Sequence, residues 1–194
     1  QLVIEKREVT LTSADAEKVY DGTALTKDEV TVTSGSFAEG EGVEYNVTGS
    51  QTVVGSSANT FTYTLKDGTK AGNYEIKTEN GTLKVTPVTD KVTVTIKGKT
   101  KTEAYNGSEQ SVTGYEVTSI SNELYKVDDF TFGGNAVAKG TDAGTYDMGL
   151  TAEDFTNTSD NFTNVEFVVN DGQLVIEKRN VTLTSANLIK VYDG

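Results

Sequence analysis

Apolar and polar residues alternate along most of the chain, and no run keeps a 3.6-residue period over three turns. Val9 and Leu11, Val30 and Val32, Phe61, Tyr63 and Leu65, Val92, Val94 and Ile96, and Phe130 and Phe132 each fall on one side of an extended strand. Thr commonly takes the outward positions, where a β-branched side chain suits a half-solvated pleat. Only residues 14–19 and 151–155 leave room for a turn of helix. Asn80-Gly81 and Asp171-Gly172 have the composition of two-residue type I′ turns, which need positive φ at both positions. A hairpin at the first would set Ile76 opposite Val85 and Thr78 opposite Leu83; at the second it would set Phe167 opposite Ile176 and Val169 opposite Leu174. Short strands with regular Gly/Asn/Asp punctuation predict an all-β fold of two small tandem modules, end to end. Each would be a β-sandwich, Ig-like, or a β-grasp-like sheet.

The chain repeats itself. Residues 173–194 match residues 1–22 at 18 of 22 positions, an offset of 172. A shorter pattern lies inside: Tyr20-Asp21-Gly22 returns as Tyr105-Asn106-Gly107 and again as Tyr192-Asp193-Gly194. NYEIKTENGTLKVTP at 73–87 parallels NVEFVVNDGQLVIEK at 164–178, and SSANTFTYTL at 56–65 parallels TDAGTYDMGL at 141–150. These matches predict a first β module at 7–87 and a second at 88–179. Residues 1–6 would be the last strand of a preceding module, and 180–194 the first strand of a following one. The partners implied are neighbouring copies of the same repeat. No Gly/Ser stretch separates Ile-Glu-Lys-Arg from Asn-Val-Thr, so a semi-rigid rod is expected.

Composition removes several functions. His and Cys are absent, which excludes thiolate nucleophiles, Cys/His zinc sites, disulfides and a Ser-His-Asp triad. The net charge of −12 would repel a phosphate backbone, so no nucleic-acid partner is expected. Lys97, Lys99 and Lys101 are the nearest thing to a basic cluster, and they read as the solvated side of the strand carrying Val92, Val94 and Ile96. No run approaches the ~20 apolar residues of a membrane span, so no membrane insertion is expected of this segment.

VTLTSADAEKVYDGTAL, followed by AGNYEIKTENGTLKVTP, resembles the YDG/MBG-type tandem repeat modules of large bacterial cell-surface, adhesin-like proteins. The matching positions are Tyr20, Asp21, Gly22, Asn73, Tyr74, Asn80, Gly81, Leu83, Val85 and Pro87. The second stretch departs: Asn106 stands for Asp, Asn164-Val165 for Asn-Tyr, and no Pro follows Lys178. The resemblance implies a secreted, cell-wall-associated stalk or spacer, as on Gram-positive cells, and no enzyme. It carries no catalytic residue to transfer.

Candidate sites are few. Tyr20-Asp21-Gly22 and Tyr105-Asn106-Gly107, with Asn80-Gly81 and Asp171-Gly172, read first as fold elements, because they recur with the module. The segment 115–135 differs most between the two stretches, so Tyr115, Tyr125, Phe130 and Phe132 are the candidates for ligand contact should the chain bind a host glycan or glycoprotein. The competing expectation is that Phe130 and Phe132 alternate into the core. An accessory domain of a secreted hydrolase is a third reading. Asp128, Asp129, Asp142, Asp147, Glu153, Asp154 and Asp160 would be the carboxylates for a structural calcium ion, which takes roughly six to eight oxygens, yet no Asp-x-Asp-x-Asp-Gly loop is present. No other cofactor is implied. Lys18 and Lys190, beside Val-Tyr-Asp-Gly, are the recurring lysines that an isopeptide crosslink would use. In the second module Glu103, or Ala104 in a shifted register, takes that place.

Overall fold

The computed structural model describes residues 1–194 and is all-β. The first eight strands are β1 (Arg7–Ser13), β2 (Ala16–Val19), β3 (Val30–Gly35), β4 (Val43–Val47), β5 (Gly55–Ala58), β6 (Phe61–Leu65), β7 (Tyr74–Glu79) and β8 (Thr82–Thr86). The others are β9 (Val92–Gly98), β10 (Lys101–Ala104), β11 (Gln110–Thr113), β12 (Tyr115–Ile120), β13 (Phe130–Phe132), β14 (Val137–Gly140), β15 (Gly144–Asp147), β16 (Phe155–Asn157), β17 (Val165–Asn170) and β18 (Gln173–Glu177). The only helices are single 3-10 turns at Ala71–Asn73, Val127–Asp129 and Ala152–Asp154. The last lies in the 151–155 window; the 14–19 window instead holds β2, whose backbone is claimed by pairing with β8. Residues 1–6 and 178–194 carry no strand.

Two compact units form. The first comprises Gln1–Val92, Asn122–Asp129 and Thr158–Val165. Its central sheet runs β3-β1-β7, with β1 antiparallel to β3 and parallel to β7. A second sheet runs β2-β8-β5, with β8 parallel to β2 and antiparallel to β5, and β4 pairs with β6. Val9, Leu11 and Tyr74 form a core against Val30, Phe37, Val43, Phe61, Tyr63 and Ile76, so the alternation in β1 and β6 is an inside–outside alternation. A fully buried Val or Leu of this kind contributes about 1.5–3 kcal/mol relative to exposure.

The second unit comprises Thr93–Ser121, Phe130–Asn157 and Glu166–Gly194. Its sheets run β12-β9-β17 and β10-β18-β15, with the pairs β13-β16 and β11-β14 beside them. The strand order is that of the first unit, with β9 in the place of β1 and β18 in the place of β8. Ala138, Met148, Leu150, Leu174 and Ile176 form one core, and Tyr115, Phe130, Phe132, Phe155 and Phe167 form a chain of ring contacts with centroids 4.9–6.1 Å apart.

The expected hairpins do not form. Ile76 and Thr78 face Val9 and Leu11 of β1, while Leu83 and Val85 face Ala16 and Lys18 of β2. Leu174 and Ile176 of β18 likewise face Lys101 and Glu103 of β10, and Phe167 and Val169 belong to the sheet of β9. Neither Gly81 nor Gly172 has positive φ. The chain at 80–81 steps from one sheet to the next beside Ser13–Asp15, which makes the same step. A Cβ on Gly81 would lie 2.4 Å from the Ser13 carbonyl oxygen and 2.6 Å from that of Ala14. Gly172 has the same constraint, 2.5 Å from the Lys99 carbonyl oxygen. Glycine stands here because two backbones touch, not because a turn must be left-handed.

Candidate functional site

The Tyr-Asp-Gly motif follows β2 directly. The Tyr20 amide donates to the Thr86 carbonyl at 2.8 Å, which extends the β2–β8 ladder by one bond. Lys18 Nζ donates to Asp21 Oδ1 at 2.6 Å, to the Thr23 carbonyl at 2.7 Å and to Thr23 Oγ1 at 2.8 Å. The Thr23 amide and hydroxyl both donate to Asp21 Oδ1, at 2.9 and 2.7 Å. The Lys18 ammonium, and after it Thr23, hold the Asp21 carboxyl well below the usual carboxylate range. Gly22 closes the turn with φ of +78°.

Asp21 is thus spent on its own turn, and Tyr20 is left to meet other residues. Its ring sits edge-on to Phe162, centroids 5.8 Å apart, and Phe162 sits edge-on to Tyr125 at 5.2 Å. Tyr125 and Phe162 are both fully buried. Burial, and secondarily the Asp129 carboxylate, pushes the Tyr125 hydroxyl up to about 12, so it stays a neutral phenol donating to the Asp129 carbonyl at 3.2 Å. The neighbouring Asn161 accepts the Val54 amide on Oδ1 at 2.9 Å. Val88, two residues past β8, bridges to Phe162: its amide donates to the Asn161 carbonyl at 2.9 Å and its carbonyl accepts the Thr163 amide at 3.1 Å. Tyr20, Val54 and Val88 make one seat, and Asn161-Phe162 fills it. Val54, Val88 and Phe162 were not legible in the sequence, where Asn161 is just one Asn among many.

The second unit builds the same frame. The Tyr105 amide donates to the Glu177 carbonyl at 2.9 Å, and the Ser108 amide donates to Asn106 Oδ1 at 2.9 Å. Gly107 has φ of +82°. Glu103 faces Ile176 as Lys18 faces Val85, which fixes the register: Glu103, not Ala104, holds the place of Lys18. Glu103 pairs with Lys101 at 2.7 Å.

The four aromatic candidates do not gather on a surface. Tyr125 is buried in the first unit; Phe130 is buried in the second, where Phe132 and Tyr115 pack against the cores. The carboxylates are dispersed as well, and no group of three metal-ligating side chains comes together. Asp129 accepts the Lys126 amide, Asp154 accepts the Thr151 amide, and Asp171 accepts the amides of Gly149 and Leu150. Asp129 and Asp154 each close a local loop, while Asp171 reaches Gly149 and Leu150 from more than twenty residues away. Lys18 is committed to its own turn, and Lys190 meets Asp193 at 3.4 Å in the same i,i+3 relation. Lys97, Lys99 and Lys101 line a shallow surface hollow with Thr100, Val112 and Glu116.

The arrangement therefore offers packing surfaces and capped turns. Comparison with protein-family models, with curated proteins and with solved structures finds no match to this chain.

Proposed function

We propose that the chain is a non-catalytic stretch of an extracellular bacterial surface protein, serving as stalk or spacer. The observation that carries this reading is the treatment of the link between β8 and β9. Pro87–Lys91 is not an open linker: Val88 is bridged to Phe162 on both its backbone groups, and the Val92 amide donates to the Asn164 carbonyl at 2.9 Å. With Val88 and Val92 paired inside the first unit, this segment has little backbone freedom left to lose. Support also comes from the YDG motif, which spends its polar groups on its own turn and its ring on a packing seat. The resemblance of that motif to YDG/MBG-type modules supports a position outside the cell, at the wall.

Two measurements test this. Amide hydrogen exchange at Val88 and Val92 should be as slow as in the strands; exchange at the rate of an open coil would remove the stiff link. A screen of the whole chain against glycans and matrix proteins should find no saturable partner, and one that bound would replace the spacer by an adhesin.

A further inference from the structure

The Tyr20 seat has a counterpart in the second unit. Gly144 faces Ile176 as Gly55 faces Val85, so Ala143 corresponds to Val54. Tyr105 bonds Glu177 as Tyr20 bonds Thr86, so Arg179, two residues on, corresponds to Val88. Tyr105, Ala143, Lys178, Arg179 and Val181 line an open hollow of about 490 Å³, and Tyr105 is 38% exposed. In the first unit the equivalent positions are filled by Asn161-Phe162. We propose that this hollow seats a second copy of the first unit, entered through the repeated segment QLVIEKR.

Three observations name that occupant. First, QLVIEKR stands at 1–7 and again at 173–179. At 173–179 its last two residues, Lys178 and Arg179, line the hollow just described. At 1–7 its last two, Lys6 and Arg7, line a hollow of about 400 Å³ in the first unit, with Ala38, Glu41, Gly72 and Asn73. By the repeat, Tyr105 and Ala143 lie beside one copy of this Lys-Arg step, and Ala38, Glu41 and Gly72 lie beside the other. Second, the parts correspond. The Tyr20 seat is filled by the loop after β12 and the loop before β17; the hollow in the first unit is walled by the loop after β3 and the 3-10 turn before β7. Glu41 already lines the first hollow beside Lys6 and Arg7, whose counterparts Lys178 and Arg179 line the second. Third, the exposed ends have the sequence of buried strands. Leu183 is 92% exposed where its counterpart Leu11 is 1% exposed, and Ile4 is 86% exposed where Ile176 is 2% exposed. A second copy supplying the rest of the sheet would bury both segments as their counterparts are buried.

The inference deepens the spacer reading and rests on it for meaning, but its test is separate. The chain has no Trp, so Tyr105→Trp is a unique fluorescent reporter. It is compared in the 194-residue chain and in a tandem in which residues 1–172 are followed by a complete second copy, with the substitution in the first copy only. Docking should shift the emission to the blue and cut acrylamide quenching several-fold in the tandem. Gly72→Arg in the second copy, where an added Cβ meets nothing within 4 Å, should restore quenching. The same change in the first copy should leave it low. Slower exchange of the Ala143 amide in the unsubstituted tandem is the control for a ring that does not fit. Equal quenching and equal Ala143 exchange in both chains would overturn the junction while leaving the stiff link at Val88, and with it the spacer, untouched.

Discussion

The two units cross between sheets in the same place with opposite chemistry. In the first, Ser13 Oγ donates to the Asn59 carbonyl at 2.6 Å and accepts the Gly81 amide at 2.9 Å. Asn59 Nδ2 donates to the carbonyls of Ala14 and Lys27, both at 2.9 Å, and Asn59 is wholly buried. In the second, Met148 holds the place of Asn59, since its amide donates to Gly172 as that of Asn59 donates to Gly81, both at 2.8 Å. Gly98 holds the place of Ser13, and Met148 packs with Leu174 and Ile176. A polar network ties down the stray backbone carbonyls in one unit; a flexible thioether fills the gap in the other. The topology thus fixes that two backbones must pass within touching distance, and leaves open what surrounds them.

The sharpest way to break the shared part is to block the crossing. Gly81→Ala and Gly172→Ala each place a Cβ under 2.6 Å from a backbone oxygen, which side-chain rotation cannot relieve. Each should cost its unit about 3 kcal/mol, read by chemical denaturation. If the glycines were there for a left-handed turn, the cost would be nearer the ~1 kcal/mol of an ordinary αL position. Met148→Ala comes next. It opens a hole beside Leu174 and should cost about 2–3 kcal/mol.

The unshared part is tested by exchange. Asn59→Ala strands the carbonyls of Ala14 and Lys27 and should cost about 2 kcal/mol. Asn59→Met alone should cost more, because the methionine meets Ser13 and the same orphaned carbonyls. Adding Ser13→Gly, which copies the second unit, should return at least ~1 kcal/mol of coupling in a double-mutant cycle. Additive losses would mean that the two residues are independent choices.

What the sequence made legible was local. The alternation in β1, β6 and β9 identifies their buried faces, and the Tyr-Asp-Gly and Asn-Gly positions mark the places where the chain changes direction. Pairing was not legible: β7 and β8 are adjacent in sequence and read as a hairpin, yet each is claimed by a parallel partner more than sixty residues away. Nothing in a two-residue period distinguishes those outcomes. The 115–135 segment misled for a related reason. Its aromatics differ from the first unit because they fill cores, through rings such as Phe155 and Phe167 that lie far off in sequence. The Tyr20 seat is hardest of all, since Tyr125 stands before β13 and Phe162 after β16, and neither stands in a motif.

The smallest expected effect separates the two turns. Asp21 titrates and Asn106 does not, although each accepts the amide two residues on. Glu103 stands where Lys18 would be, so an aspartate at 106 would have as its strand neighbour a carboxylate, itself paired with Lys101, in place of an ammonium. The Asp21 carboxyl is held low by Lys18, so its contribution is complete above the unfolded carboxylate value of about 3.9 and is lost as pH falls through the lower folded value. The turn is solvent-exposed, so the loss should show locally before it moves the global midpoint. The Thr23 amide shift should be flat through neutral pH and move only well below the ordinary aspartate range, while that of Ser108 stays flat throughout. Lys18→Met should bring the Thr23 titration up toward the ordinary value. Asn106→Asp should create a titration at Ser108 displaced upward from that of Asp21, because its neighbour is Glu103. If both aspartates titrated alike, the charge at the strand position would not be what distinguishes the two turns.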